Sequence, residues 1–127
     1  MKQLYQSFLI GISMYSRIPV PQPEWNAENM KYSICFFPIV GVVIGALLTG
    51  WAFLCRFLAL GSVMFAAVAA LLPTLVTGGI HMDGFCDTHD ALASCAPTER
   101  KLEILKDSNV GAFAVIKTCG YYLIYFD

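Results

Sequence analysis

The chain has 127 residues, of which 57% are hydrophobic and only 13% are charged, and its formal net charge is −1. Soluble domains carry roughly 25% charged residues, so this composition indicates that lipid covers much of the protein surface. The net charge does not bear on nucleic-acid binding, but the sequence has no basic stripe to follow a phosphate backbone, so we expect no nucleic-acid partner. The five cysteines form no C-x-x-C pair, and their spacing gives no disulfide framework.

The first segment, residues 4–15, is apolar but too short to cross a bilayer. Its large apolar residues recur at helical spacing on one face: Leu4, Phe8, Ile12 and Tyr15. This pattern predicts an interfacial N-terminal helix that lies along the membrane surface. Pro19 and Pro21 follow the helix, and the polar residues 22–31 are predicted to form a loop.

Two long uncharged runs follow the loop and are separated by Arg56. Crossing a bilayer takes about 20 apolar residues, and neither run has the polar face of a soluble core helix. We therefore predict membrane spans over residues 34–55 and 57–80. A third apolar stretch begins at about residue 112 and is expected to be an incomplete span.

Both predicted spans carry small residues four positions apart. They are Gly41, Gly45 and Thr49 in the first span, and Ser62, Ala66 and Ala70 in the second. Small residues at this spacing let helix backbones approach closely in lipid, which predicts an antiparallel hairpin around Arg56. The alternative is that glycine and alanine are simply common in membrane helices.

These elements predict an all-α, polytopic integral membrane protein, a transmembrane helix bundle with one membrane domain over residues 1–127. Basic residues are more numerous before the first span and in the acidic loop 81–111 than in the turn at Arg56. The positive-inside rule then places loop 81–111 in the cytoplasm. Because the chain stops at Asp127, inside or just after the third stretch, we expect a fragment that is inactive alone.

Three aspartates in the acidic loop carry the main chemical signal. Asp83, Asp87 and Asp90 are spaced i, i+4, i+7, which places them within an arc of roughly 60° on a helix. No lysine or arginine lies between Ile80 and Arg100, and the three charges repel one another unless a cation binds. The pattern predicts a divalent-cation site with oxygen ligands. The alternative is a solvated helix start, where aspartate is favoured.

Two further residues are candidates for the same site. Asp107 follows a helix predicted from Pro97 to about Lys106 and is placed to close the metal site from a second helix. The alternative is a helix end stopped by Gly111. His81 is interpreted as a phosphate ligand or an acid/base group near the metal, and otherwise as a polar boundary residue.

A zinc site is the competing metal interpretation. His81, Cys86, His89 and Cys95 match none of the usual zinc-finger spacings, and the sequence contains no H-E-x-x-H. His89 also lies off the aspartate face, so we assign it no role.

Four motifs, in order along the chain, resemble one known family. They are Ser16–Pro21, Gly78–Gly84, Asp87–Asp90, and Leu102–Ser108 followed by Gly111. Together they resemble cobalamin synthase, the adenosylcobinamide-GDP ribazoletransferase family of the bacterial inner membrane. The resemblance covers nearly the whole chain, although family members are about twice as long. Ala91 and Asn109 depart from the residues usual in the family.

The resemblance implies a multi-pass enzyme that joins adenosylcobinamide-GDP to α-ribazole or α-ribazole 5′-phosphate. The products are adenosylcobalamin, or its phosphate, and GMP, and Mg²⁺ is the implied cofactor. The metal ligands are then expected to be Asp83, Asp87, Asp90 and Asp107. The expected catalytic residues are Asp83, Asp87 and His81, and one aspartate is expected to serve as general base. The expected substrate-binding residues are Gly78, Gly79, Arg17, Lys106 and Ser108.

Two other classes of protein are weighed against this one. A CDP-alcohol phosphotransferase also binds metals through aspartates on membrane helices, but its motif D-x-x-D-G-x-x-A-R needs a glycine and an arginine that are missing after Asp90. A divalent-cation transporter also holds acids near helix breaks. Its acids are expected at mid-span, whereas these adjoin a polar loop.

Overall fold

The computed structural model describes residues 2–107 and 109–126, and within those ranges it contains helices and no strands. This confirms the predicted all-α class. The helices are α1 (Lys2–Tyr15), α2 (Ala27–Met30), a 3-10 turn (Ser33–Phe36), α3 (Phe37–Phe57), α4 (Ser62–Thr77), α5 (Ile80–Ala93), α6 (Thr98–Ile104) and α7 (Ala112–Phe126).

The chain folds as two compact units that divide between Gly78 and Gly79. The first unit holds α1 to α4, and the second holds α5 to α7. Gly78 and Gly79 have φ angles of +67° and +83°, in the left-handed region that glycine adopts without steric cost. Gly78 ends α4 in the manner of a left-handed C-cap, because its N–H bonds to the carbonyls of the last turn.

Helix α1 is a core element of the first unit. Its buried residues are Ser7, Leu9, Ile10, Gly11 and Ile12, which surround most of the helix. The helix contacts α2, the 3-10 turn and α3. Of the predicted apolar face, Ile12 is buried and Phe8 and Tyr15 are half-buried, but Leu4 is 58% exposed. Its location at a membrane surface stays a prediction.

Gly11 is the point of closest approach between α1 and the 3-10 turn. A Cβ atom at Gly11 would lie 2.5 Å from the carbonyl oxygen of Ser33 and 3.1 Å from Cβ of Phe36. We expect Gly11→Ala to lower the free energy of unfolding by roughly 1–3 kcal/mol, because the turn must move away. Denaturant unfolding in detergent measures the change. Gly45→Ala, where an added Cβ meets no atom within 4 Å, is the control, and equal costs for the two variants would contradict the prediction.

In the part of the chain that the structure describes, one helix is long and apolar enough to cross a membrane. It comprises the 3-10 turn and α3, Ser33–Phe57, and its mean hydropathy over an 18-residue stretch is 2.2. Its apolar side chains are largely exposed; Val42 is 70% exposed and Phe57 is 85% exposed. A second candidate arises only if α4 and α5 count together as one broken span, and α7 has 15 residues. Within the described residues, then, one candidate span stands where three spans were predicted.

The hairpin of α3 and α4 turns later than predicted. Arg56 lies in the last turn of α3, and residues 58–61 connect the helices. The two helices contact each other, and Trp51 Nε1 donates to the carbonyl oxygen of Phe65 at 3.3 Å. An added Cβ at Gly41 or Gly45 would meet no atom within 4 Å. Gly41 and Gly45 are therefore not where the helix backbones approach closely in this hairpin.

Candidate active site

Helices α5 and α7 pack antiparallel and form the frame of the second unit. The contacts run in opposite directions along the two segments: the end of α5 meets the start of α7, and earlier residues of α5 meet later residues of α7. The contacts are Asp90 with Gly111 and Ala114, Cys86 Sγ with Thr118 Oγ1 at 3.2 Å, and the rings of Phe85 and Tyr121 at 5.9 Å. The buried residues of the two helices, Ala91 and Ala114, are small. The antiparallel packing brings the C-terminal half of α5 to the start of α7.

Asp90 caps α7 from the neighbouring helix. Its Oδ2 atom accepts a hydrogen bond from the backbone N–H of Gly111 at 2.6 Å, and its Oδ1 atom accepts one from the N–H of Ala114 at 2.9 Å. Ala114 is the third residue of α7, so its N–H has no partner within the helix. A carboxylate at this position also interacts favourably with the positive end of the helix dipole.

Gly111 makes this contact sterically accessible. A Cβ atom at Gly111 would lie 2.6 Å from Oδ1 and 2.8 Å from Oδ2 of Asp90, so a side chain at this position would displace the carboxylate. The sequence suggested only that Gly111 stops the preceding helix. Its role in admitting Asp90 depends on a contact across 21 residues, which no local pattern reports.

A cleft of about 400 Å³ lies beside this cap, in the second unit. Three of the predicted site residues line it: Asp87, Asp90 and Asp107. The other lining residues are Ser94, Ile104, Asn109, Val110, Gly111, Ala112 and Phe113. The structure therefore places aspartates from α5 and from the segment after α6 in the lining of one cleft.

Asn109 fixes the carboxylate of Asp107. The backbone N–H and the side-chain Nδ2 of Asn109 both donate to Oδ1 of Asp107, at 3.0 and 2.7 Å. The backbone hydrogen bond, then the side-chain bond and, more weakly, the charge of Arg100 lower the pKa of Asp107. Asn109 was not among the predicted site residues. The D-x-N pattern was the available signal, since aspartate commonly bonds to the backbone two residues later.

The three aspartates of α5 have different surroundings. Asp87 is half-buried in the cleft wall, and within residues 2–107 and 109–126 no group bonds to its carboxylate. Asp90 is bound to α7. Asp83 is exposed on the first turn of α5 and is not among the residues that line the cleft. One helical face thus carries all three residues, but the packing of α7 separates their roles.

The cleft offers carboxylate oxygens, the type of ligand that Mg²⁺ prefers. Among the described residues, no group of three or more His, Cys, Asp or Glu side chains is arranged to hold a metal ion. Mg²⁺ is commonly bound by one or two carboxylates, with water and substrate phosphates as its other ligands. Asp87 has no competing bond within the described ranges, and the bonds to Asp107 fall on Oδ1. These two carboxylates provide a donor set of this kind.

The remaining predicted site residues lie elsewhere. His81 is exposed near the start of α5, and Lys106 is exposed after α6; neither lines the cleft. His89 contacts the ring of Phe85, with centroids 4.3 Å apart. Ser108 lies outside the described residues.

Arg17 and Gly78, which come from two separate motifs, meet in the first unit. The backbone N–H of Arg17 donates to the carbonyl oxygen of Val76 at 2.8 Å. A Cβ atom at Gly78 would lie 2.6 Å from Cγ of Arg17, so the side chain of Arg17 packs against Gly78. An added Cβ at Gly79 would meet no atom within 4 Å.

Over residues 2–107 and 109–126, the fold is all-helical with one candidate membrane span, and an aspartate-lined cleft lies in the second unit. The sequence profile of the cobalamin-5-phosphate synthase family matches residues 7–126. The chain therefore belongs to this family, as its motifs predicted.

Similar curated proteins bear the name adenosylcobinamide-GDP ribazoletransferase. The protein from Lachnoclostridium phytofermentans is 49% identical over 120 residues, which are 94% of this chain and 46% of that protein. The protein from Brevibacillus brevis is 43% identical over 93% of this chain and 48% of its own length. The one from Clostridium botulinum is 36% identical over 99% and 50%. The chain thus spans about half the length of these relatives, and no solved structure matches it.

Proposed function

We propose that the protein is an adenosylcobinamide-GDP ribazoletransferase. The observation that carries the proposal is the similarity to relatives of that name over more than nine-tenths of the chain. A second observation is consistent with it: Asp87, Asp90 and Asp107, from two of the motifs, line one cleft. Phosphoryl transfer requires mainly positioning and neutralisation of charge, which cleft carboxylates can provide through a bound cation. The acceptor is α-ribazole or α-ribazole 5′-phosphate.

In the proposed reaction, a ribose hydroxyl of the ribazole attacks the phosphorus on the cobinamide side of the pyrophosphate. A new phosphorus–oxygen bond forms, and the bond to the GMP oxygen breaks. GMP leaves with the electron pair, and the hydroxyl proton passes to a base. We assign that base to an aspartate of the cleft. Such a transfer requires mainly positioning and neutralisation of charge.

Asp87 and Asp107 are the proposed holders of Mg²⁺. When bound, the ion stabilises charge on the phosphate oxygens. Asp87 lines the cleft without another bond partner in the described ranges, and Asn109 orients Asp107. Asp83 was predicted as a ligand too, but it lies on the first turn of α5 and outside the cleft lining, and we propose no direct metal contact for it.

The proposed setting is the bacterial cell membrane, with the acidic segment on the cytoplasmic side. The apolar helix Ser33–Phe57 supports this location. The polar segment that follows α5 carries Arg100, Lys101 and Lys106, and the positive-inside rule favours the cytoplasm for such a segment. His81 is proposed as a phosphate ligand or an acid/base group. The proposed substrate-binding residues are Gly78, Gly79, Arg17, Lys106 and Ser108.

The test is a product assay on the protein as its gene encodes it, purified in nanodiscs. Adenosylcobinamide-GDP is supplied with Mg²⁺ and with either α-ribazole or its 5′-phosphate, and GMP and the corrinoid product are followed by mass spectrometry. We expect both products, and we expect chelation of Mg²⁺ to abolish them. CMP release from a CDP-alcohol, or metal flux into vesicles without nucleotide turnover, in place of GMP release would overturn the proposal.

A further inference from the structure

The two neighbouring carboxylates Asp87 and Asp90 make different connections although they lie three residues apart on α5. Both oxygens of Asp90 accept backbone N–H groups, from Gly111 and Ala114, across 21 and 24 residues of sequence. The carboxylate of Asp87 has no bond partner among residues 2–107 and 109–126. Of the two carboxylates, therefore, Asp90 bonds to the start of α7, and Asp87 does not.

The Asp90 contact would be difficult to exchange for a metal ion. Ala114 is fully buried, so its N–H would have no water to bond with if Asp90 turned away. An unpaired buried N–H is costly. Hydrogen bonds from N–H groups to an ionised carboxylate are also roughly twice as strong as neutral ones. Both effects keep the carboxylate of Asp90 on α7.

Gly111 leaves open the space that the carboxylate of Asp90 occupies. An added Cβ atom would lie within 2.6–2.8 Å of all three carboxyl atoms of Asp90. The hydrogen bond between Asp90 and Gly111 lies at the C-terminal end of the segment that carries Asp107 and Asn109. Both of these residues line the cleft together with Asp87 of α5. Fixing Gly111 to Asp90 therefore fixes one end of the segment that presents Asp107.

We propose that Asp90 is a positioning residue and not a metal ligand. It fastens the first turn of α7 to α5 and so sets the distance between Asp87 and Asp107 across the cleft. This inference rests on the proposed function, because it assumes that the cleft binds a divalent cation. Its structural part, the fastening of α7, is independent of the reaction.

The test compares Asp90→Asn with Asp87→Asn in the gene-encoded protein, with Mn²⁺ as the probe metal. Asparagine keeps one oxygen acceptor but places an NH₂ donor where Asp90 accepts a second N–H. For Asp90→Asn we expect amide exchange at residues 111–114 to accelerate about tenfold or more. We expect Mn²⁺ affinity to fall by only about threefold, because Asp87 and Asp107 both remain and only their separation is less well fixed. For Asp87→Asn we expect unchanged exchange there and Mn²⁺ affinity at least about tenfold weaker.

Turnover gives a separate measurement. We expect Asp90→Asn to lower kcat per folded molecule about tenfold, because misplaced groups transfer a phosphoryl group poorly. The Mg²⁺ concentration for half-maximal activity should rise by no more than about threefold, because both metal-holding carboxylates remain. Asp87→Asn should raise that Mg²⁺ concentration. A merely structural role for Asp90 would change the folded fraction and leave kcat per folded molecule unaltered.

Gly111→Ala provides a second variant if Asp90→Asn does not fold, because it displaces the carboxylate while leaving every acidic residue present. It should accelerate the same amide exchange, whereas Gly120→Ala on α7, where an added Cβ meets no atom within 4 Å, should not. Equal loss of Mn²⁺ affinity in the two aspartate variants, with unchanged exchange at residues 111–114, would overturn the inference. Wild-type protein without GMP release would instead overturn the proposed reaction, and the exchange and Mn²⁺ measurements would still stand.

Discussion

Replacement of Asp87 by asparagine is expected to lower the rate of GMP release at least about 100-fold. This corresponds to about 3 kcal/mol of lost transition-state stabilisation, the size of effect expected when a metal loses a charged ligand at a phosphoryl-transfer site. Asp87 lines the cleft, and no group in the described ranges bonds to its carboxylate. Its charge is therefore available for a cation. Steady-state kinetics over a range of Mg²⁺ concentrations measure the loss.

The matched control is Glu99→Gln, which removes the same charge from the same unit. Glu99 is exposed on the first turn of α6 and does not line the cleft. We expect its activity to stay within about twofold of wild type, since surface substitutions away from a site have small effects. Thermal unfolding of both variants checks that they fold. Full activity in folded Asp87→Asn protein would remove Asp87 from the mechanism.

Gly78→Ala is expected to lower the free energy of unfolding by about 2–5 kcal/mol. A left-handed backbone costs an L-residue roughly 1–2 kcal/mol, and Gly78 has a φ of +67°. The added Cβ would also lie 2.6 Å from Cγ of Arg17, and such overpacking typically costs 1–3 kcal/mol. Denaturant unfolding of the gene-encoded protein in detergent measures the sum.

Gly79→Ala separates the two contributions. Its φ is +83°, but an added Cβ there meets no atom within 4 Å, so we expect only the backbone cost. In a double-mutant cycle, Arg17→Ala should recover much of the excess cost of Gly78→Ala, because it removes the clashing side chain. Equal costs at Gly78 and Gly79, together with no coupling to Arg17, would show that the packing of Arg17 on Gly78 is unimportant for stability.

Local signals in the sequence predicted most helices and their order. The apolar run after residue 33 led to α3, and the apolar stretch from about residue 112 led to α7. The helix predicted from Pro97 to about Lys106 is α6, Thr98–Ile104, a difference of the kind expected at helix ends. The run 57–80 is a shorter helix, Ser62–Thr77, because the turn after Arg56 extends to Gly61 and the glycine pair ends the helix.

The stripe of small residues on α3 shows where a sequence pattern is insufficient. Gly41 and Gly45 have the spacing that permits close helix contact, but in this hairpin no atom lies within 4 Å of their added Cβ positions. Spacing reports which residues share a helix face. It does not report which neighbour covers that face, because this depends on the positions of all the other helices.

The sequence by itself determined the helical class, the family motifs and the common face of Asp83, Asp87 and Asp90, because helical periodicity and residue type are local properties. Only the tertiary structure decided how that face is divided. Helix α7 packs along one edge of it and takes Asp90 as its cap, Asp87 is left in the cleft wall, and Asp107 joins it from a segment 20 residues later. Such pairings depend on contacts between distant segments, which periodicity does not encode.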